Sequence, residues 1–319
     1  MGTSLCHHRS ASALRSLKRV SCYVTDLQST EATSASADKK KEDDKVDWLG
    51  EIKSIALLIL AVLVVHSFIV KPFYIPSESM MPNLLVGDRL VVTKYPYGWS
   101  FTAPSFHVMP PTEGRFMGKL PERGDIVILE PTDKREDYIK RVIGLPGDRL
   151  EVRGGTVILN GTPVKQQVMP NLQIPVDANA PCDERQFFGR RITKADGTQV
   201  CDLPIIRETL PNGVSYNTID LGMTDVDNYP PTTIPDGHVF VMGDNRDRSA
   251  DSRVDLDRDG LGGPVPWENL GGRAEFITFS MDGNAKWYNP ISWFTAMRSG
   301  RAGDSLRVHP AEQPAQAAK

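Results

Sequence analysis

Two serines, one lysine and a charged loop carry the reactive groups of this 319-residue chain. Ser77 and Ser79 stand two apart in FYIPSESMMPNLLVGDRLVV, a Pro-bounded segment whose serines would ordinarily be turn formers. Lys140 interrupts the apolar run YIKRVIGL, and in a strand its side chain shares a face with Tyr138 and Val142. Such a lysine either snorkels to water or lies buried and neutral. A buried amine has a lowered pKa, and a neutral amine can take the proton of a serine hydroxyl. Serine–lysine dyads are one form of the nucleophile-plus-base arrangement. The third piece is GDNRDRSADSR, Gly243 to Arg253, in which Arg246 and Arg253 balance Asp244, Asp247 and Asp251. Balanced signs in so short a run suit an internal ion-pair network that holds a loop rigid beside a site.

Those groups need elements to place them. Ser54 to Val70 reads SIALLILAVLVVHSFIV, a run without a charge that is about 26 Å long as a helix, against a hydrocarbon core of about 30 Å. Only Ser54, His66 and Ser67 are polar, so the polar stripe of a soluble core helix is missing. No small-residue cleavage site follows, which favours an uncleaved membrane anchor, residues 49–70, over a removable leader. Near the membrane end His66 reads as a snorkelling or helix-packing residue rather than a proton relay. Lys39, Lys40, Lys41, Lys45 and Lys53 precede the helix and only Lys71 and Arg89 follow closely, which predicts a cytoplasmic N-terminus. Residues 1–48 are too polar to bury a core and are expected to form a disordered tail.

Beyond the helix, RLVVTKY, DIVILEP, YIKRVIGL, RLEVRGGTVILNG and HVFVMGDNR are short apolar runs closed by Gly, Pro, Asn or Asp. The fold class expected is mainly β: an all-β domain over 71–300 with one N-terminal transmembrane helix. RGGTVILNGTPV reads as a hairpin turning at Gly154-Gly155 and Asn160-Gly161. The strand signal weakens over about 169–235, which is read as an elaboration inserted into the core sheet. Cys182 and Cys201 lie there, on the oxidising side, and are expected to pair, leaving Cys6 and Cys22 as thiols. KWYNPISWFTAMR is aromatic enough to touch a bilayer, and 301–319 is expected to be a disordered tail. Net charge −3, from 37 basic and 40 acidic residues, argues against a dedicated nucleic-acid binder. Four cysteines exclude a cysteine-dense module, and 26 Gly with 24 Pro favour strands and turns.

Taken together, the matches PSxSMMPxLxxGD, RGDIV, YIKRxxGLPGD and GDNRDxSxDSR resemble, in order, the type I signal peptidases, membrane-bound serine–lysine proteases that remove signal peptides from exported proteins. The resemblance runs from about Leu49 to Met281. It implies Ser79 as nucleophile, Lys140 as general base, and Ser77 with the Ser79 backbone N–H as oxyanion donors. It further implies Ser249 as the residue orienting the lysine, with Asp251, Arg253 and Asp244 supporting the loop. Phe73, Ile75, Pro76 and Ile139 would line pockets for small side chains at the −1 and −3 positions. The implied partners are signal-peptide-bearing preproteins and the lipid bilayer, with no nucleic acid, no metal and no organic cofactor. The implied location is the bacterial cytoplasmic (inner) membrane, with the catalytic domain outside.

Two departures stand out. Glu78 occupies a place where many relatives have Gly, and is expected to point outward rather than toward the base. The turn VDLDRDGLGGPVP is longer than is common and holds Asp255, Asp257, Asp259 and Gly260, the opening of a calcium loop. Its twelfth position is Pro266 rather than the required Glu, so a solvated acidic turn is expected. Two rivals remain. Self-cleaving repressors share the dyad and an SMxPxLxxGD stretch but need a DNA-binding domain where this chain has an apolar helix, and a calcium-dependent binding module would use the acidic turn and not Ser79.

Overall fold

A computed structural model describes residues 48–104, 107 and 109–307. The expected N-terminal tail to residue 47, Cys6 and Cys22 fall outside the described residues, as does the chain from 308 onward. Helix α1, Trp48–Phe68, is long and apolar enough to cross a membrane, with mean hydropathy 2.2. It starts near the expected boundary but stops at Phe68, and Val70 already belongs to strand β1, Val70–Tyr74. The junction is fastened: Trp99 Nε1 donates to the Phe68 carbonyl at 2.7 Å, and the Lys94 amide to that of Ile69 at 3.0 Å.

The domain beyond is mainly β, as the sequence predicts. Strands β2 (Asp88–Thr93), β3 (Ile126–Leu129) and β4 (Tyr138–Gly144) follow the expected apolar runs. Next come β5 (Arg149–Arg153), β6 (Thr156–Leu159) and β7 (Thr162–Pro163), the expected hairpin. Its turns fall at Gly154-Gly155 and Asn160-Gly161, where all four residues have φ between 53° and 80° as left-handed hairpin turns require. The elaboration supplies β8 (Lys165–Pro175), β9 (Arg191–Thr193), β10 (Gln199–Thr209), β11 (Ser215–Ile219) and β12 (Tyr229–Thr233). The chain finishes with β13 (His238–Met242), β14 (Val265–Pro266), β15 (Leu270–Ser280) and the short helix α2 (Pro290–Thr295).

A seven-stranded sheet in the order β1-β2-β15-β3-β4-β13-β14 holds the site. The elaboration forms a second sheet, β11-β10-β8, with β9 on β10, while β12 joins β5-β6-β7 in a third. It is therefore regular where the sequence looked irregular. Nearly every residue of β8 is exposed, and Pro170 and Pro175 break up the alternation that would have marked it. Cys182 and Cys201 are joined by a disulfide, and they pack with Ile174, Phe187, Leu203 and Ile205. Met81 and Leu85, from the segment carrying Ser79, belong to that same cluster.

The expected tail needs a correction. Residues 301–307 are folded onto the domain: Arg301 pairs with Asp88, Arg307 with Glu275, and Leu306 is buried in the cluster of Ile75, Leu90 and Ile277. One apolar side chain between two arginines suffices, because the strands beneath already present the matching carboxylates.

Candidate active site

The segment between β1 and β2 is built to present a serine. Ile75, Met80 and Leu84 are buried in one cluster with Leu90, Ile126, Ile128 and Ile139, which anchors the backbone on both sides of Ser79. The Leu84 amide donates to the Met80 carbonyl at 2.9 Å, and Ile75 exchanges backbone bonds with Asp88 and Gly87 at 2.9 and 3.0 Å. Ser79 is thereby held at 6% exposure while Ser77 stays open to solvent, the two hydroxyls 3.3 Å apart. Among the described residues the Ser79 amide donates to no carbonyl or side chain.

Lys140 comes up from below. It sits on β4 opposite Val127 of β3, is only 4% exposed, and brings Nζ to 3.2 Å from Ser79 Oγ. The Tyr138 ring lies on the same face, its centroid 5.2 Å from Nζ. Burial pushes the Lys140 amine down to about 8, against the pull of Asp251 and Asp244, which favour the charged form. Lys94 shows why the contact matters more than the titration. Burial, with Lys71 nearby, lowers Lys94 to about 8 as well, yet its Nζ is committed to the Ala103 carbonyl at 2.5 Å.

The third segment follows β13 and closes the site from above. Its first glycine is required: a Cβ on Gly243 would meet Ser249 Oγ at 2.2 Å and the Ser79 carbonyl at 2.5 Å. Asp251 accepts from the Gly243 amide at 2.9 Å and is gripped by Arg253 through Nε at 3.0 Å and Nη2 at 2.9 Å. Burial alone would raise the Asp251 carboxyl, but the Arg253 guanidinium more than offsets it and holds it below the usual carboxylate range. Asp244 receives Arg141 through two bonds of 2.7 Å, and Asn83 adds a third.

The expected network is therefore real but reaches beyond its own loop, since Arg246 pairs with Glu208 of β10. Asn245 was not singled out from the sequence. Its amide donates to the Ser79 carbonyl at 3.0 Å and its Nδ2 to the Glu78 carbonyl at 3.2 Å, so it pins the backbone on either side of the hydroxyl. The only available signal was its place inside GDNR.

The comparisons with known proteins follow the same segments. The family described as signal peptidase, peptidase S26, matches residues 48–279. The chain belongs to this family. Signal peptidase I of Rickettsia typhi is 36% identical over 239 residues, covering 72% of this chain and 80% of that protein. Signal peptidase I of Rickettsia bellii is 32% identical over 267 residues, covering 81% of each. A crystal structure of a signal peptidase I from Enterococcus faecalis is 24% identical and covers 49% of this chain and 97% of its own, at a TM-score of 0.26, too low to support an argument. This signal peptidase family member is a peptidase of signal-peptide processing with one helix fit to anchor it.

Other positions implied by the resemblance fall as follows. Ile75 and Ile139 are buried in one cluster with Phe73 packed against it, while Pro76 stays exposed beside Ser77. Ser249 is buried, but among the described residues its hydroxyl has no partner, so the bond that would orient Lys140 is not made. Glu78 is half-buried and lines a cavity with Gln186 and Arg248. The acidic turn is held by cations: Asp259 pairs with Lys134, and Asp255 lies 3.8 Å from Arg258. Among the described residues no three His, Cys, Asp or Glu groups converge on a point where a metal could sit.

Proposed function

We propose that the chain is a serine–lysine signal peptidase in which Ser79 is the nucleophile and Lys140 the general base. The observation that carries this is the 3.2 Å approach of a buried, lowered-pKa amine to a serine oxygen. At a pKa of about 8 roughly one amine in ten is neutral at pH 7, against about one in a few thousand for an exposed lysine. The neutral amine takes the Ser79 proton as Oγ attacks the carbonyl carbon of the scissile bond. The oxyanion lies between the Ser77 hydroxyl and the uncommitted Ser79 amide. The Lys140 ammonium returns its proton to the departing amine, and a water deprotonated by the same lysine then cleaves the ester. Ile75, Ile139, Phe73 and Pro76 would bound the space for small side chains at −1 and −3.

The lysine count before and after α1 supports a cytoplasmic N-terminus and a catalytic domain on the outer face. The Cys182–Cys201 disulfide agrees, since such bonds persist in oxidising compartments. Helix α1 passes into β1 and then Ser77, so a preprotein's apolar segment beside α1 would bring its cleavage point to Ser79. The test is cleavage of a preprotein by detergent-solubilised wild type and Ser79→Ala. Cleavage that survives in the variant would end the proposal.

A further inference from the structure

The elaboration has so far appeared only as a neighbouring sheet, yet it forms one wall of a trough that starts at Ser77 and Glu78, the residues just before the proposed nucleophile. A cavity of about 370 Å³ is lined by Pro76, Ser77 and Glu78 on one side and by Asn179 and Gln186 of the elaboration on the other. A second cavity of about 370 Å³ shares Gln186 and Arg248 with the first and continues to Phe188 and Met223. Those last two side chains are 88% and 79% exposed, so together they offer an open apolar surface at the far end.

The trough is fixed rather than incidental. Arg248 donates through Nη2 to the carbonyls of Arg185 and Gln186, at 3.0 and 2.8 Å, and Asp247 accepts from the Leu221 amide at 2.5 Å. The loop that pins Ser79 therefore also pins the elaboration. Glu78 projects into the first cavity next to the serine pair. Gln186, with its amide nitrogen turned toward the carboxylate, reaches Glu78 Oε1 at 2.9 Å. Arg248 and Asp183 are the charged groups that act on Glu78 there, with opposite signs.

The sheet side of Ser79 is already occupied in the catalytic reading. Phe73 of β1 and Ile75 just after it share one apolar cluster with Ile139 of β4, along the path from α1 to the serine by which a membrane-embedded signal segment would arrive. The chain beyond the cut must leave by another route. We propose that the trough receives the first residues after the scissile bond, and that Glu78 makes the enzyme discriminate against acidic side chains there. The inference rests on the Ser79 reading. The elaboration would then select the start of the exported protein. Phe188 and Met223 would accept an apolar side chain further along.

The experiment uses full-length enzyme in detergent and a peptide set with an unchanged Ala-x-Ala before the cut, and Lys, Asn or Asp at each of the first three positions after it. In the wild type, kcat/KM for Lys over Asp should be about fivefold or more at the position facing Glu78, the effect of one surface charge pair. Glu78→Gln should bring that ratio close to one and Glu78→Lys should invert it, while the order of preference at −1 and −3 keeps the wild-type pattern. An unchanged ratio in both variants overturns the inference and leaves the catalytic reading standing. Persistent cleavage of the Asn peptide by Ser79→Ala would overturn both.

Discussion

Lys140 and the Gly243–Arg253 loop both bury charged groups against the Ser79 segment and treat them in opposite ways. In the loop every buried cation has a carboxylate: Arg253 on Asp251, Arg246 on Glu208, and Arg141 reaching in to Asp244. Among the described residues Lys140 has no such pair, only a serine oxygen and an aromatic ring. Pairing holds charges in place and makes a frame. Leaving one amine unpaired makes its charged form costly, and that cost keeps a share of it neutral near pH 7, the form that the proposed general base needs. Frame and reagent are made from the same kinds of residue and differ only in whether a counter-charge is supplied.

The sharpest way to break this contrast is to remove the reagent. Ser79→Ala and Lys140→Arg should both abolish preprotein cleavage. The arginine keeps the charge but cannot lose its proton, so measurable turnover by Lys140→Arg would mean that the site uses charge and not basicity.

Stability should move in opposite directions in the two regions. Asp251→Asn leaves Arg253 buried without its carboxylate and should lower unfolding free energy by about 3–5 kcal/mol in a denaturant titration. Lys140→Met should raise it. The fall from the ordinary 10.5 to about 8 corresponds to a cost on the order of 3 kcal/mol while the amine is protonated in the unfolded chain. That cost is complete below pH 8, where both states carry the proton, and it shrinks as pH rises from about 8 to about 10.5. The stabilisation by Lys140→Met should fade over the same interval, and equal losses in both variants would refute the contrast.

Smaller effects sharpen the roles. Ser77→Ala should reduce kcat by about 10²–10³-fold and leave measurable activity, because one oxyanion donor remains. The wild-type kcat/KM should rise with pH through an apparent pKa near 8, as the base must be neutral; a flat profile from pH 6 to 9 would contradict it. Chelator should change nothing in an activity assay, since Lys134 and Arg258 hold carboxylates of the acidic turn and the dyad calls for no metal.

Much of this was legible in the sequence because the chemistry dictates residue types. A serine pair bounded by proline, a lysine inside an apolar strand and a balanced charged loop stand out locally, as does a long uncharged helix. What stayed hidden depends on partners far apart in the chain. Glu208 is an ordinary strand glutamate until the fold brings Arg246 to it, and Asn245 gains its importance from a carbonyl rather than from its own chemistry. Strand β8 carries no alternation because both of its faces are largely wet. Ser249 illustrates the converse: its position in the motif suggested a bond to Lys140 that its buried hydroxyl does not make.

The arginines beyond β15 set an order of events. Arg298 donates to the Val86 carbonyl, and Arg301 to the Asn83 carbonyl and Asp88, across 212 to 218 positions of chain. These bonds fasten the segment that displays Ser79. During synthesis the segment leaves the ribosome long before the residues that secure it, and under the proposed topology both must reach the same side of the membrane before they can meet. Under that topology a newly inserted copy lacks the last of these fastenings until more than two hundred further residues have followed its serine across. Completion of the serine segment then waits, under that topology, on transport of the chain that secures it.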